Sequence, residues 1–283
     1  MFATASVKMA LAFSLTTGLF LCAHSYAAES QFIDIKGDPN LRSASVLITD
    51  ANGTIIYGKD INTVRPIASL TKLMTAMVIL DAGLNLDEKI TITKQDRDLI
   101  RLTGSRLEYG AKLSRKDLLH LALMSSENRA ATALGRTYPG GMSTFVADMN
   151  RKALSLGMVE SHFSDPAGLQ SGNQATAVDL AKMLSAASHY PLITRATTTL
   201  RQQVRPYSSR GPLHYGNTNR LLKNKKWDIA VSKTGYLDEA GRCLLMQANI
   251  EGEAISIVLL NSFGKLTPFG DSNRLRQWML SNS

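Results

Sequence analysis

Pro66-Ile67-Ala68-Ser69-Leu70-Thr71-Lys72-Leu73-Met74-Thr75-Ala76-Met77-Val78-Ile79-Leu80 is the stretch on which the fold turns. After Lys72 nearly every residue is apolar or small. Read as a helix from about Ser69 to near Gly83, the run is too apolar on every side to lie on a surface, so it passes through a core. A lysine in such a place is costly to bury. Residues three apart share a helix face, which puts the Lys72 amine within reach of the Ser69 hydroxyl. Serine is a poor nucleophile without a neighbouring base, and a desolvated lysine with a lowered pKa can be that base.

Spacing alone does not single out this pair. Ser262-Phe263-Gly264-Lys265 has the same interval, but it follows a strand-like run and carries a glycine, so no buried helix is implied. The context of the Ser69 run is what separates the two, and the rest of the chain has to support it.

The chain has 283 residues, 44% of them hydrophobic, enough for one large globular unit or two small ones. Its net charge of +9 favours contact with something anionic. The best nucleic-acid candidate, Arg220-Leu221-Leu222-Lys223-Asn224-Lys225-Lys226-Trp227, is short and single, and reads as a solvated loop. No nucleic-acid partner is expected. His120, His162, His189 and His214 form no ligand-spaced pair, so neither a metal nor another cofactor is expected.

Residues 1–27 read as a signal peptide. Lys8 gives a weak positive start, Met9 to Cys22 is mostly apolar, and Ser25-Tyr26-Ala27 offers small residues ahead of a cut before Ala28. The apolar run is short and broken by Ser and Thr, which disfavours a permanent membrane span. Leu21 stands where a lipid-attachment site at Cys22 would need a small residue. The processed chain, 28–283, then keeps Cys243 alone and no intrachain disulfide. An exported, basic chain without a disulfide fits a bacterial envelope.

Taken in order, Ala44–Thr49 and Thr54–Tyr57 read as strands joined by an Asp50-Ala51-Asn52-Gly53 turn. Lys89–Thr93 alternates like a short strand. Ser114 opens a helix through Met124 in capping-box fashion. The polar break Ser125-Ser126-Glu127-Asn128 precedes a second helix to about Arg136. Helical patterns continue through Thr144–Leu156 and Ala177–Ala187, with Asp165-Pro166-Ala167-Gly168-Leu169 as a loop between them. The last third reads as a strand from Ile229 into Lys233-Thr234-Gly235, then a hairpin over Arg242–Ile250 and Ala254–Leu260, then a final helix capped by Asp271. Strands at both ends and helices between them predict an α+β fold: one antiparallel sheet built from both chain ends, with a mostly helical block inserted.

Three short motifs therefore fall in order: Ser69-Leu70-Thr71-Lys72 on a buried helix, Ser126-Glu127-Asn128 between helices, and Lys233-Thr234-Gly235 on a strand. Together they resemble the signature of the penicillin-recognising serine D,D-peptidases and serine β-lactamases. Arg65-Pro66-Ile67-Ala68-Ser69, Ala122–Ala130, Pro166-Ala167-Gly168-Leu169 and Lys233-Thr234-Gly235-Tyr236 look closer to the low-molecular-mass D-alanyl-D-alanine carboxypeptidase/endopeptidase family, over about residues 44–280.

The resemblance implies a β-lactamase/transpeptidase-like fold and a role for each residue. Ser69 would accept the acyl group and Lys72 would be its base. Ser126 would relay a proton to the leaving amine. Asn128 would hold Lys72 and the substrate amide. Lys233 and Thr234 would bind a terminal carboxylate, and the N–H groups of Ser69 and Tyr236, beside Gly235, would form an oxyanion hole. Like-charge repulsion from Lys233 should depress the Lys72 pKa. The implied partners are cross-linked peptidoglycan as substrate and β-lactams as inhibitors.

Two departures matter. Many carboxypeptidase relatives carry glycine where this chain has Glu127. They also carry a second β domain and a C-terminal amphipathic anchor, for which no segment is seen here. Those departures favour a periplasmic enzyme without a permanent membrane anchor, on the endopeptidase branch. A carboxypeptidase, a serine β-lactamase and a non-catalytic penicillin sensor remain the alternatives. The lactamase is disfavoured because the 165–169 loop offers no glutamate to position a deacylating water.

Overall fold

The structure is a computed structural model and describes residues 1–3 and 30–282. The signal peptide expected over 1–27, with Cys22, lies outside the described residues apart from the first three.

Three strands open the chain: β1 (Ser45–Thr49), β2 (Ile55–Lys59) and the two-residue β3 (Arg65–Pro66). A single 3-10 turn, Ala68–Leu70, leads into α1 (Thr71–Asp81). The inserted block holds β4 (Lys89–Thr91), β5 (Lys112–Ser114), α2 (Arg115–Met124), α3 (Asn128–Arg136), α4 (Gly141–Ser155) and β6 (Gln174–Ala175). It continues through α5 (Ala177–Ser188), α6 (Pro191–Thr198), and the β7 (Arg201–Val204) and β8 (Leu213–Gly216) hairpin. The chain ends with β9 (Asp228–Leu237), β10 (Gly241–Ile250), β11 (Glu253–Ser262) and α7 (Thr267–Asn282).

The main sheet is antiparallel in the order β2-β1-β11-β10-β9, so both chain ends build it, as the sequence predicts. Alternation along its central strands sends side chains to two separate cores. Val46, Ile48, Leu244, Met246, Ile257 and Leu259 face one core, with Phe32, Trp227 and Trp278. Leu47, Leu245, Val258 and Leu260 face the other, larger core, which α1 through α6 complete. The 3.6-residue and 2-residue patterns are thus satisfied on opposite sides of one sheet.

One boundary differs from expectation. The last helix begins at Thr267, so Asp271 lies inside it rather than capping it. Pro268 falls in the first turn, where its missing N–H leaves no intrahelical bond unmade. Asp271 is fully buried and faces the N-terminal segment: its carboxylate accepts from Arg42 N, Ser43 N (2.7 Å) and Ser43 Oγ (2.6 Å), and pairs with Arg274. Sequence reading also passed over α6 and the β7–β8 hairpin. Their apolar residues are sparse and become visible only once Ile193, Ala196, Val204 and Tyr215 join the larger core.

Candidate active site

Lys72 is 1% exposed, in the first turn of α1, and its amine is held by three acceptors. Nζ donates to Ala167 O at 2.6 Å, to Ser69 Oγ at 2.7 Å and to Asn128 Oδ1 at 2.8 Å. Ser69 itself lies in the preceding 3-10 turn, after Ala68 in the left-handed region (φ 49). That conformation is unusual for a residue with a Cβ.

The loop behind these two residues is built on Asp165. Its carboxylate accepts from the backbone N–H groups of Ala167, Gly168, Leu169 and Gln170, and from Asn173 Nδ2. This grip presents the Ala167 carbonyl to Lys72. Gly168 has φ +74, and a Cβ placed there would collide with the carbonyl oxygen of Ala68 and reach Thr71 Oγ1 at 2.9 Å. Glycine is required here both for its conformation and for the close approach.

Ser126 sits between α2 and α3 with φ 59, and Glu127 caps α3 by accepting from Arg129 N. Glu127 also accepts from Ser105 Oγ at 2.7 Å, and burial pushes its carboxyl pKa up. Asn128 Nδ2 donates to Thr103 Oγ1 at 2.9 Å, which leaves its oxygen for Lys72. Thr103 is in turn held by Asp98, at 2.7 Å between hydroxyl and carboxylate.

The third motif lies on β9, at the edge of the main sheet. Lys233 is 1% exposed and donates to Ser126 Oγ at 3.0 Å and to Thr234 O at 2.9 Å. Thr234 Oγ1 donates to Thr218 Oγ1 at 2.7 Å. A Cβ on Gly235 would meet Ile67 O at 3.0 Å and Ser69 N at 3.3 Å, so the strand passes directly against the serine turn. Tyr236 is half exposed, with the Arg242 guanidinium stacked 3.5 Å above its ring.

The structure brings all eight residues singled out from sequence to one cleft of about 340 Å³. Ser69, Ser126, Asn128, Thr234, Gly235 and Tyr236 line it, and Lys72 and Lys233 are hydrogen-bonded to its walls. It also brings in residues that sequence reading missed: Arg220, Arg242, Lys265 and Phe269 on the cleft walls, and Asp165 behind them. Lys265 belongs to the second Ser-x-x-Lys interval, whose Ser262 is buried against Ser43 and has no part in the cleft. An aspartate two and three residues before Ala167-Gly168 carries the signal of an Asx turn, which would have marked Asp165.

The electrostatics differ from expectation in one respect. Burial lowers the Lys72 pKa to about 7, and the carboxylates of Asp165, Glu127 and Asp98 counter part of that fall. Repulsion between the lysines acts on Lys233, whose pKa is lowered first by burial and then by Lys72. For both lysines desolvation is the leading cause, and the carboxylates of Asp165, Glu127 and Asp98 hold Lys72 up against it.

The fold is that of the DD-transpeptidases. A crystal structure of a Streptomyces DD-transpeptidase superposes with a TM-score of 0.80 at 27% identity, covering 87% of this chain and 100% of that one. The chain belongs to the D-alanyl-D-alanine carboxypeptidase family of peptidases, whose sequence model matches residues 33–264. Among its relatives are D-alanyl-D-alanine endopeptidases. That of Pseudomonas aeruginosa is 45% identical over 240 residues, 84% of this chain and 77% of the relative. That of Escherichia coli is 44% identical over 242 residues, 85% of this chain and 78% of the relative.

Proposed function

We propose that this chain is a periplasmic serine D,D-peptidase that cleaves D-alanyl bonds in peptidoglycan, chiefly the D-Ala-diaminopimelate cross-links, through an acyl-enzyme on Ser69. The 2.7 Å contact between Lys72 Nζ and Ser69 Oγ supports this reading most directly. A pKa near 7 leaves Lys72 a large neutral fraction at neutral pH, as a general base needs. The neutral amine gives its two hydrogens to Asn128 Oδ1 and Ala167 O, which can only accept. Its lone pair then faces Ser69 and takes the hydroxyl proton as Oγ attacks the D-Ala carbonyl carbon.

Collapse of the tetrahedral intermediate breaks the C–N bond. Ser126, hydrogen-bonded to Lys233, delivers a proton to the departing amine. The Ser69 and Tyr236 N–H groups stabilise the oxyanion. Lys233 and Thr234 clamp the carboxylate on the amine side, and water then hydrolyses the ester. Penicillin acylates Ser69 by the same first step. Endopeptidase-named relatives support the cross-link as substrate. Among the described residues no helix is long and apolar enough to cross a membrane. Export with a cut before Ala28 is part of the same proposal.

The test uses the chain from Ala28 beside a Ser69→Ala control, each given a cross-linked muropeptide dimer and a pentapeptide monomer, with products followed by mass. Dimer cleavage that disappears in the control is expected. Loss of one D-Ala from the monomer alone would make the enzyme a carboxypeptidase. A stable penicillin adduct with no turnover of either substrate would make it a sensor.

A further inference from the structure

The catalytic cleft is too small for its proposed substrate. About 340 Å³ accommodates a drug-sized ligand or a short peptide, whereas a cross-link joins two stem peptides. Part of the substrate must lie outside the cleft, either past Ser126 and Asn128, where a cleft of about 470 Å³ lined by Ser105, Arg106 and Tyr215 adjoins it, or along α7. The segment Arg220–Trp227 and helix α7 run side by side. At one end they line the catalytic cleft with Arg220, Pro268 and Phe269. At the other they line a second cleft of about 480 Å³ with Lys226, Trp227, Asn273 and Arg276. Phe269 and Asn273 are one helical turn apart, so the second cleft opens about 6 Å along α7 from the first.

This second cleft is basic, and a hydrogen bond ties its two walls together. Trp227 is 8% exposed, and its Nε1 donates to Asn273 Oδ1 at 3.0 Å, which bolts the segment to the helix. The side chains of Lys226 and Arg276 form no ion pair or hydrogen bond among the described residues, and neither do the exposed Lys223 and Lys225 beside them. Among the described residues, two carboxylates belong to the two walls. Asp271 is fully buried and engaged by Arg42, Ser43 and Arg274, which leaves the exposed Asp228 as the only one open to solvent. A run of unpaired cations beside an anion-binding site selects an anionic extension of the same ligand. The loop behind Asn128, by contrast, exposes Leu99, Ile100 and Leu102.

We infer that the groove between the Lys223–Trp227 loop and α7 is a substrate-docking site that takes the carboxylate-bearing stem peptide extending from the catalytic cleft. The inference rests on the D,D-peptidase reading. It assigns the groove to affinity for cross-linked substrate, with the chemistry left to the cleft. Penicillin, which fills only the cleft, does not reach it.

The experiment compares wild type, Lys226→Glu/Arg276→Glu and the neutral Lys226→Gln/Arg276→Gln. Penicillin acylation rate, thermal melting, kcat and KM for a cross-linked muropeptide dimer, and binding to phosphatidylglycerol vesicles are measured for each. Losing two exposed ion pairs corresponds to roughly a three- to tenfold loss of affinity. We expect KM for the dimer to rise by about tenfold in the charge-reversed variant and about threefold in the neutral one. Dimer kcat, penicillin acylation and melting should stay unchanged, and 0.5 M salt should raise the wild-type KM to match.

An unchanged dimer KM in both variants overturns the proposal while the peptidase reading stands. A fall in penicillin acylation in the neutral variant, matching its fall in dimer turnover, also overturns it. Loss of vesicle binding with dimer KM intact makes the groove a lipid site and overturns it too. Wild type that cleaves no dimer sinks the peptidase reading, and the groove assignment with it.

Discussion

The Lys72 amine lies closer to the Ala167 carbonyl, at 2.6 Å, than to the Ser69 hydroxyl, at 2.7 Å. A backbone carbonyl has no proton to give, so Ala167 fixes which way the amine turns its hydrogens. The base is oriented by a loop as much as by its own helix. Its proton affinity then sets the pH dependence of acylation. With the pKa lowered to about 7 by burial, penicillin acylation of Ser69 should level off above about pH 7 and fall about tenfold per unit below it. Stopped-flow acylation with a fluorescent penicillin checks this, and a flat profile down to pH 5 would remove Lys72 as the base.

The same burial carries a stability signature. The Lys72 pKa is lowered from 10.5 to about 7 on folding, so between those values the unfolded chain holds a proton that the folded chain lacks. Stability should therefore rise with pH across that window, by up to about 1.4 kcal/mol per unit. Lys233, also lowered, acts in the same direction. Lys72→Met removes the Lys72 share. Its stability advantage over wild type in urea unfolding should be larger at pH 7 than at pH 9.

Asp165 is positioned to act on both the loop and the base. Asp165→Asn keeps one acceptor oxygen but turns an amide towards Gln170 N and Asn173 Nδ2, which are both donors. A cost of about 1–3 kcal/mol follows from the unmet groups. The lost negative charge also stops supporting the Lys72 ammonium, so the acidic limb of the acylation profile should move to lower pH. A purely architectural role would lower the rate and leave that limb in place.

Gly168→Ala should be far more damaging than Gly157→Ala. Both glycines have positive φ, so each substitution carries the conformational cost of about 1 kcal/mol. Only at 168 does the new Cβ also strike backbone, at Ala68 beside the nucleophile. We expect Gly157→Ala to acylate normally. Gly168→Ala should lose at least tenfold in acylation together with several kcal/mol of stability. Melting curves and acylation rates on the pair decide the matter.

Cys243 is buried opposite Gly235 on the neighbouring strand, and burial pushes its thiol up to about 11. It should resist thiol reagents in the native state and react only on unfolding. Titration with a disulfide reagent before and after adding guanidinium tests this, and rapid native labelling would contradict the burial of β10.

Much of this molecule was legible in its sequence, for identifiable reasons. The α1 run is apolar enough that only a core helix accommodates it. The Asn52-Gly53 turn and the paired runs at 242–260 are strong local signals. Ser69, Lys72, Ser126, Asn128 and Lys233 could be gathered because each motif carries side-chain chemistry. Asp165 carries the local signal of an Asx turn, but nothing in that signal says that the loop it builds lies against Lys72. Arg220 and Lys265 leave no local mark, because their nearness to Ser69 comes from the tertiary fold alone. Asp271 was misread because its partners, Arg42 and Ser43, lie about 230 positions away in the chain.

The sheet order has a consequence for how such a chain comes into being. β1 pairs with β11, from Ser45 opposite Leu260 to Thr49 opposite Ser256. A polypeptide emerging N-terminus first, from a ribosome or a translocation pore, holds its nucleophile helix long before it holds the strand that closes the sheet. Until the final thirty or so residues are out, β1 has only β2 beside it, and no β11 joins it through β10 to Lys233 on β9. Closing so long a loop is slow, and it cannot begin early. The hydrolytic centre is thus assembled last, after the whole chain has left the compartment or machine that made it.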